Sequence, residues 1–293
     1  MPAKPLWLLA APVIFLLLWS GGFSVAKLGI SHAEPLSFLS LRYALVLALL
    51  LPIALVLRPP LPQRGADWAH LAIVGVLIQS FYFGLSYIAF KAGVSAGGVA
   101  IIVCLQPILV GLIAPRFAGE KVGLLRWIGL ALGLAGAGTV IASRSSMEFA
   151  HPLGVLAAVG ALFAITVGTL WEKRFGRSHH PVTSNLVQYA AGLAGTLPVA
   201  LAFESFSFEW NLPFAAALAY LVIGNSIIAM TLLLAMIRAG EVSRVSSLFY
   251  LVPPISALIA WPLLGEAIPP LGWAGFALAA LGVAIASRSP APK

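Results

Sequence analysis

The sequence predicts an all-α integral membrane protein in which ten transmembrane helices form two inverted five-helix repeats around a central cavity. Three observations lead to this fold class: the composition, the spacing of the apolar segments and an internal repeat. Of the 293 residues, 61% are hydrophobic and 9% are charged, whereas soluble domains carry about 25% charged residues. A chain with so little polar surface is expected to be surrounded by lipid.

Ten apolar segments follow one another, each close to the roughly 20 residues that cross a bilayer. Connectors such as Arg58-Pro59-Pro60 and Pro269-Pro270 separate them. Strict alternation of apolar and polar residues, the mark of a membrane β-barrel, is missing. The first segment lacks a small-x-small cleavage site, so we interpret it as an uncleaved span. The predicted spans are 6–30, 36–57, 69–90, 94–116, 124–143, 152–172, 182–203, 213–236, 243–264 and 270–287.

The positive charges predict that both termini are cytoplasmic. With the N-terminus inside, most of the 17 Lys and Arg residues fall in inner connectors, and only Lys91 and Arg144 fall in outer ones. Cytoplasmic loops of membrane proteins carry this excess. The formal net charge of +8 therefore indicates orientation in a cell (inner or plasma) membrane, and we expect the lipid bilayer rather than a nucleic acid as the partner.

An internal repeat divides the chain into 1–145 and 146–293, which together form one membrane domain. Residues 107–136 align with 253–282, and the alignment pairs two Gly-Glu dipeptides that are each followed at the same interval by Trp-x-Gly. Because five is odd, the second repeat must enter the membrane in the opposite orientation. Many secondary transporters use such inverted repeats to build one site at mid-membrane.

Several short motifs resemble the EamA-type members of the drug/metabolite transporter superfamily, in order and in both halves. They are Trp19-Ser20-Gly21-Gly22-Phe23, Lys27, Pro35, Arg42, Ala89-Phe90-Lys91-Ala92-Gly93, Pro107, Gly119-Glu120, Pro253 and Gly265-Glu266. The resemblance covers essentially the whole chain. It implies ten helices, a cavity lined mainly by helices 1, 3, 4, 6, 8 and 9, and export of small metabolites. Exporters of aromatic and other neutral amino acids are the branch that the chain most resembles.

A cavity for neutral or zwitterionic solutes needs a few polar groups among aromatic and apolar walls. On the third span, Gln79, Tyr82 and Phe83 share one stripe at helical spacing. For the serine residues, helix–helix packing is the alternative role. The predicted substrate-binding residues are Trp19, Ser20, Gln79, Tyr82, Phe83, Asn225, Ser226, Ser247 and Tyr250.

Lys27 and Arg42 are the two charged residues within predicted spans. One interpretation is that they attract an anionic group such as a substrate carboxylate. The other is structural: the long side chains reach the lipid headgroups or bind helix ends. The sequence leaves both interpretations open.

Prolines and glycines suggest where helices bend and where they approach closely. Pro107 and Pro253, at matched positions of the repeats, are predicted to bend helices 4 and 9 as the cavity changes access. The glycine run from Gly129 to Gly138 is expected to pack within a monomer, with a dimerisation face as the alternative.

The polar inventory argues against other classes of protein. The acidic residues lie singly at or near the predicted span ends, and Cys104 is the single cysteine, so we expect no metal, cofactor or disulfide. An intramembrane lipid-modifying enzyme and a solute channel remain as alternatives to a transporter of a small molecule. Because no carboxylate is expected mid-span as a proton relay, facilitated diffusion or exchange is favoured.

Overall fold

The computed structural model describes residues 6–117, 124–143, 151–175, 179–232, 236 and 251–288. These residues are mainly helical, which confirms the predicted all-α membrane class, and an isolated bridge between Ala33 and Phe208 is the β pairing found among them. The helices are α1 (Leu6–Gly29), α2 (Pro35–Leu57), α3 (Gly65–Lys91), α4 (two pieces, Ala96–Val103 and Gln106–Phe117), α5 (Leu124–Ser143), α6 (Pro152–Phe175), α7 (Pro181–Phe203), α8 (Leu212–Leu232), α9 (Val252–Leu264) and α10 (Pro270–Arg288).

Six of the described helices, α1, α2, α3, α6, α7 and α8, are long and apolar enough to cross a membrane. Shorter apolar stretches lie in α4, α5, α9 and α10. Large apolar side chains point outward, among them Val56, Phe203 and Leu212, which are 81%, 84% and 82% exposed. Apolar surface of this extent is costly in water and favourable against lipid tails.

Both α3 and α8 contain a π-helical stretch, over Val76–Tyr82 and Tyr220–Ala229. The two stretches occupy equivalent positions in the two predicted repeats. A π turn carries an extra residue and changes the direction of the side chains that follow it, and such turns are frequent at functional sites. In α3, the Tyr43 hydroxyl donates a 2.6 Å hydrogen bond to the Gln79 carbonyl oxygen, which supplies that carbonyl with a side-chain partner.

The fourth predicted span, 94–116, is not one continuous helix, because α4 ends at Val103 and begins again at Gln106. Pro107 therefore lies in the first turn of the second piece, where its missing N–H has no helical partner to lose. Pro253 likewise lies in the first turn of α9. Each of the two prolines thus stands where a described helical piece begins. Their predicted role in bending helices 4 and 9 stays a prediction.

Helices of the first five and the last five contact one another in reciprocal pairs. Helix α1 contacts α8 and α9, and α6 correspondingly contacts α3 and α4, while α2 packs on α7 and α5 packs on α10. These pairs join matching helices of the two halves.

The α5–α10 contact brings two helix backbones together through glycine. A Cβ atom added at Gly136 would lie 2.5 Å from the Ala279 backbone nitrogen, and one at Gly282 would lie 2.6 Å from the Gly129 carbonyl oxygen. No side chain fits there. The glycine run thus packs within the chain as predicted, except at Gly138, which has open space around it.

At the predicted outer end, the segment after α7 binds the turn between α1 and α2. The Glu204 carboxylate accepts hydrogen bonds from the backbone nitrogens of Leu36 (3.0 Å) and Ser37 (2.6 Å), where the N-terminus of α2 favours negative charge. Nearby, His32 contacts Glu209 at 3.2 Å. These contacts join the two halves at this end.

Candidate functional site

A cavity lies inside the molecule between α1, α2, α3 and α8. The volume of this cavity is about 20 Å³, which is room for one or two water molecules. Six aromatic residues form most of its wall: Trp19, Phe23, Tyr82, Phe83, Tyr87 and Phe90. The remaining lining residues are Gly22, Ala26, Arg42, Ser86 and Asn225. We call this cavity the chamber.

Gly21 and Gly22 of α1 allow α8 to approach one wall of the chamber closely. A Cβ atom at Gly22 would lie 2.5 Å from the Asn225 side-chain nitrogen, and one at Gly21 would collide with the Tyr220 hydroxyl. In the space that the glycines leave, Asn225 and Tyr220 both donate to the Leu18 carbonyl oxygen, at 3.3 and 3.0 Å. The Trp-Ser-Gly-Gly-Phe motif thus places an aromatic side chain on each side of a close helix contact.

Arg42 lines the chamber and is 1% exposed. Its Nη2 donates to Asn225 Oδ1 (3.1 Å) and Ser226 Oγ (2.9 Å), its Nε donates to Ser226 Oγ (3.3 Å), and its Nη1 donates to Tyr87 Oη (2.9 Å). The guanidinium carbon is 5.0 Å from the centre of the Phe83 ring, a cation–π distance. Residues from α2, α3 and α8 therefore hold one buried cation.

Lys27 lies near the end of α1, directly after Ala26, which lines the chamber. Its Nζ donates to Glu266 Oε1 at 2.5 Å and to the Val94 carbonyl oxygen at 3.1 Å, and Glu266 Oε2 accepts from the Ala96 backbone nitrogen at 3.2 Å. The side chains of Lys27 and Glu266 are 22% and 10% exposed. This group joins α1, the start of α4 and the segment after α9.

The Gly-Glu dipeptide of the second repeat now has a local explanation. Gly265 ends α9 with a φ of 69°, a left-handed conformation that glycine adopts without the clash of a Cβ atom. The turn directs the chain back towards α1, so that Glu266 meets Lys27.

The structure brings together several of the predicted substrate-binding residues. Trp19, Tyr82, Phe83 and Asn225 line the chamber. Ser226 lies behind it and accepts hydrogen bonds from Arg42. The predictions for Ser247 and Tyr250 fall outside the described residues. Their binding roles stay predictions.

Two predicted residues, Gln79 and Ser20, do not line the chamber in this conformation, and their binding roles also stay predictions. Gln79 packs against α7, where a Cβ at Gly192 would collide with the Gln79 Cβ. Uniform helical spacing placed it with Tyr82 and Phe83, but Gln79 lies within the π-helical stretch Val76–Tyr82 and is not among the residues that line the chamber. Ser20 is fully buried and does not line the chamber.

Sequence reasoning missed part of the chamber wall. Tyr87 and Phe90 follow Phe83 at helical spacing, so extending the aromatic stripe along α3 could have found both. Arg42 was identified as a charge within a span, but helix 2 was not expected among the lining helices. Among the described residues, no group of three or more His, Cys, Asp or Glu side chains could hold a metal ion.

The sequence profile of the EamA-like transporter family matches residues 5–142 and again residues 152–288. The chain belongs to the EamA-like transporter family. Like the family, it is a membrane transporter rather than an enzyme, it works in lipid, and its ligand is a small molecule.

Relatives of this EamA transporter carry different names. It is 27% identical over 251 residues to the uncharacterized transporter YvbV of Bacillus subtilis, covering 85% of this chain and 81% of that one. A probable amino-acid metabolite efflux pump of Salmonella typhimurium is 25% identical, with 93% and 92% covered. The riboflavin transporter of Vibrio cholerae is 26% identical, with 97% and 92% covered.

A solved structure shares the fold of this EamA transporter. The TM-score is 0.63 at 21% identity, and the match covers 95% of this chain and 98% of the other. The likeness extends over both halves of the molecule.

Proposed function

We propose that this EamA transporter exports small organic solutes, with aromatic and other neutral amino acids as the transported class, by alternating access. The observation that carries the proposal is the buried chamber between α1, α2, α3 and α8, which combines an aromatic wall with a small polar cluster around Arg42. Solute sites have this composition: mostly apolar walls with a few polar groups that fix orientation.

Alternating access rests on two inverted five-helix repeats, 1–145 and 146–293. Three observations support that organisation. The family profile matches twice, once in each half. The helices of the two halves contact one another in reciprocal pairs. The two π-helical stretches stand at equivalent positions. With the positive charges on the inner side, both termini are cytoplasmic.

In this proposal, the structure represents a state in which the chamber is closed to the outside. The Lys27–Glu266 ion pair lies at the predicted outer end, beside the chamber residue Ala26, and joins α1 to the segment after α9. The space of about 20 Å³ in the chamber has room for water only. Opening to the outside therefore requires this pair to separate, and α1 to move away from the segment after α9.

The chamber wall carries one cation and no carboxylate among the described lining residues. A proton-coupled carrier usually titrates an acidic group or histidine within the membrane. The proposal is therefore exchange or facilitated diffusion driven by the solute gradient. An imposed pH gradient that drives uptake uphill would contradict this part.

Counterflow in proteoliposomes tests the proposal. Vesicles loaded with unlabelled L-phenylalanine are expected to accumulate labelled L-phenylalanine transiently and saturably, which a channel does not do. Gly22→Val, which fills the space beside Asn225, is expected to abolish accumulation. Gly138→Ala, at a position with open space, is the matched control and should leave it unchanged.

The same vesicles distinguish the solute classes. Labelled leucine, tryptophan and riboflavin are tested beside phenylalanine. Counterflow of riboflavin without counterflow of any amino acid would refute the amino-acid assignment and leave the carrier mechanism in place. Leakage that does not saturate would refute the carrier mechanism itself.

A further inference from the structure

We infer that Arg42 and Tyr87 form the binding site for a carboxylate of the transported solute, so that this protein selects carboxylic acids with an apolar or aromatic body. The inference rests on the proposed transport function and deepens it, because it assigns the chemical group that a solute must carry.

The first step of the argument is charge. The Arg42 guanidinium is almost completely buried, and its hydrogen-bond partners in the described part of the chain, Tyr87, Asn225 and Ser226, are all neutral. Neutral acceptors offset only part of the cost of burying a cation. An anion that enters the chamber would supply the missing compensation.

The second step is the count of donors. A guanidinium has five N–H groups, and Arg42 makes four hydrogen bonds with the described residues, one of them from Nη1. One Nη1 N–H therefore has no acceptor among these residues. The Tyr87 hydroxyl accepts the Nη1 bond, and its own O–H likewise has no acceptor there. Two donors thus lie 2.9 Å apart on the chamber wall.

This pair of donors fits the two oxygens of a carboxylate. Charge-assisted hydrogen bonds from a guanidinium to a carboxylate are strong and geometrically specific. The Phe83 ring lies 5.0 Å from the guanidinium carbon and limits its movement. Beyond the donors, the wall is formed by aromatic rings, including Trp19 and Phe23, which suit an apolar solute body.

Lys27, the other cation within a predicted span, is not available for this role. Its ammonium group is bound to Glu266 and to the Val94 carbonyl oxygen. In this conformation, Arg42 is the cation that lines the chamber.

Three ligands of similar shape test the inference on the purified full-length protein. L-phenylalanine has the carboxylate and the amine, 3-phenylpropionate has only the carboxylate, and L-phenylalanine amide has only the amine. Affinities are measured by calorimetry and by thermal stabilisation. We expect both carboxylates to bind at least about 10-fold more tightly than the amide, the ratio typical for losing a hydrogen bond to a charged group.

Variants separate this role from a structural one. Tyr87→Phe keeps the ring and removes one donor, and is expected to reduce the carboxylate-to-amide ratio about 10-fold. Arg42→Lys keeps the charge and removes the planar fork, and is expected to lower the ratio further. Arg58→Lys, at the exposed end of the same helix, is the matched control and should keep the wild-type ratio.

Because the readout is a ratio, a change in the fraction of folded protein cancels out. Equal affinity of the wild type for acid and amide would overturn the inference. A preference for the acids that survives in both chamber variants would also overturn it. Counterflow of amino acids together with either result would leave the proposed function standing, whereas loss of all counterflow in the wild type would refute the proposed function.

Discussion

Arg42 and Lys27 are two cations within predicted spans of the first half, and their surroundings differ. Lys27 has a carboxylate partner, lies near the end of α1 and is partly exposed. Arg42 has only neutral partners in the described chain, lies in the chamber wall and is buried. A paired charge at an end suits a closing contact, whereas a buried charge that lacks an anion suits a ligand. We therefore expect the two cations to serve different purposes.

The largest expected effect is that of Arg42→Met, which removes the centre of the polar cluster. Asn225, Ser226 and Tyr87 would lose their shared donor, so the free energy of unfolding should fall by about 3–5 kcal/mol. SDS titration in mixed micelles measures it. Arg58→Met, at the exposed end of α2, should cost about 0.5 kcal/mol or less. Equal losses would mean that burial does not distinguish the two arginines.

An intermediate effect is expected for Gly22→Ala. The new Cβ atom would displace the Asn225 side chain, which holds Arg42, so the free energy of unfolding should fall by about 1–3 kcal/mol. The same substitution at Gly138 meets nothing within 4 Å and should be neutral or stabilising by up to about 1 kcal/mol. Both are measured by the same titration. A harmless Gly22→Ala would show that the close α1–α8 contact is dispensable.

The smallest effect on stability is expected when the Lys27–Glu266 ion pair is removed. Lys27→Met removes a partly exposed ion pair, so the free energy of unfolding should fall by about 1–2 kcal/mol. The access of an external reagent to the chamber should change more than the free energy of unfolding. A cysteine at Ala26, in a Cys104→Ser background, should react several-fold faster with a membrane-impermeant maleimide added outside.

The reversed pair Lys27→Glu with Glu266→Lys is the control for that substitution. It restores the attraction but not the contact with the Ala96 nitrogen, so maleimide labelling should return part of the way to the unsubstituted rate. Labelling that is identical in all three proteins would show that the ion pair does not close the chamber.

The helices were predicted well wherever the hydropathy of a segment and the helix-breaking residues at its ends agree. The span predicted at 36–57 is Pro35–Leu57 in the structure, and the span predicted at 182–203 is Pro181–Phe203. Proline starts both helices, where it costs no hydrogen bond. The aromatic wall was also partly predictable, because Tyr82 and Phe83 stand on one helix at neighbouring positions.

The break in α4 and the π turns were not predictable from hydropathy. Hydropathy reports the transfer of a whole segment into lipid and is insensitive to which carbonyl each N–H reaches. Gln79 is an example: its residue type suited the chamber, but it lies in a π-helical stretch and packs beside Gly192. The hydrogen-bond partners of Arg42 could not be predicted either, because Asn225 and Ser226 belong to α8, far from Arg42 along the chain.

The glycine contact between α5 and α10 has a consequence for how the protein is made. The ribosome synthesises α5 before α10, on the order of ten seconds apart at ordinary elongation rates. Throughout that interval the surface of α5 around Gly136 is not covered by α10. Lipid or a chaperone must contact that surface instead. Helix α10 thus completes this contact, and a chain that stops before Pro270 should be recognised by membrane quality control as unfinished.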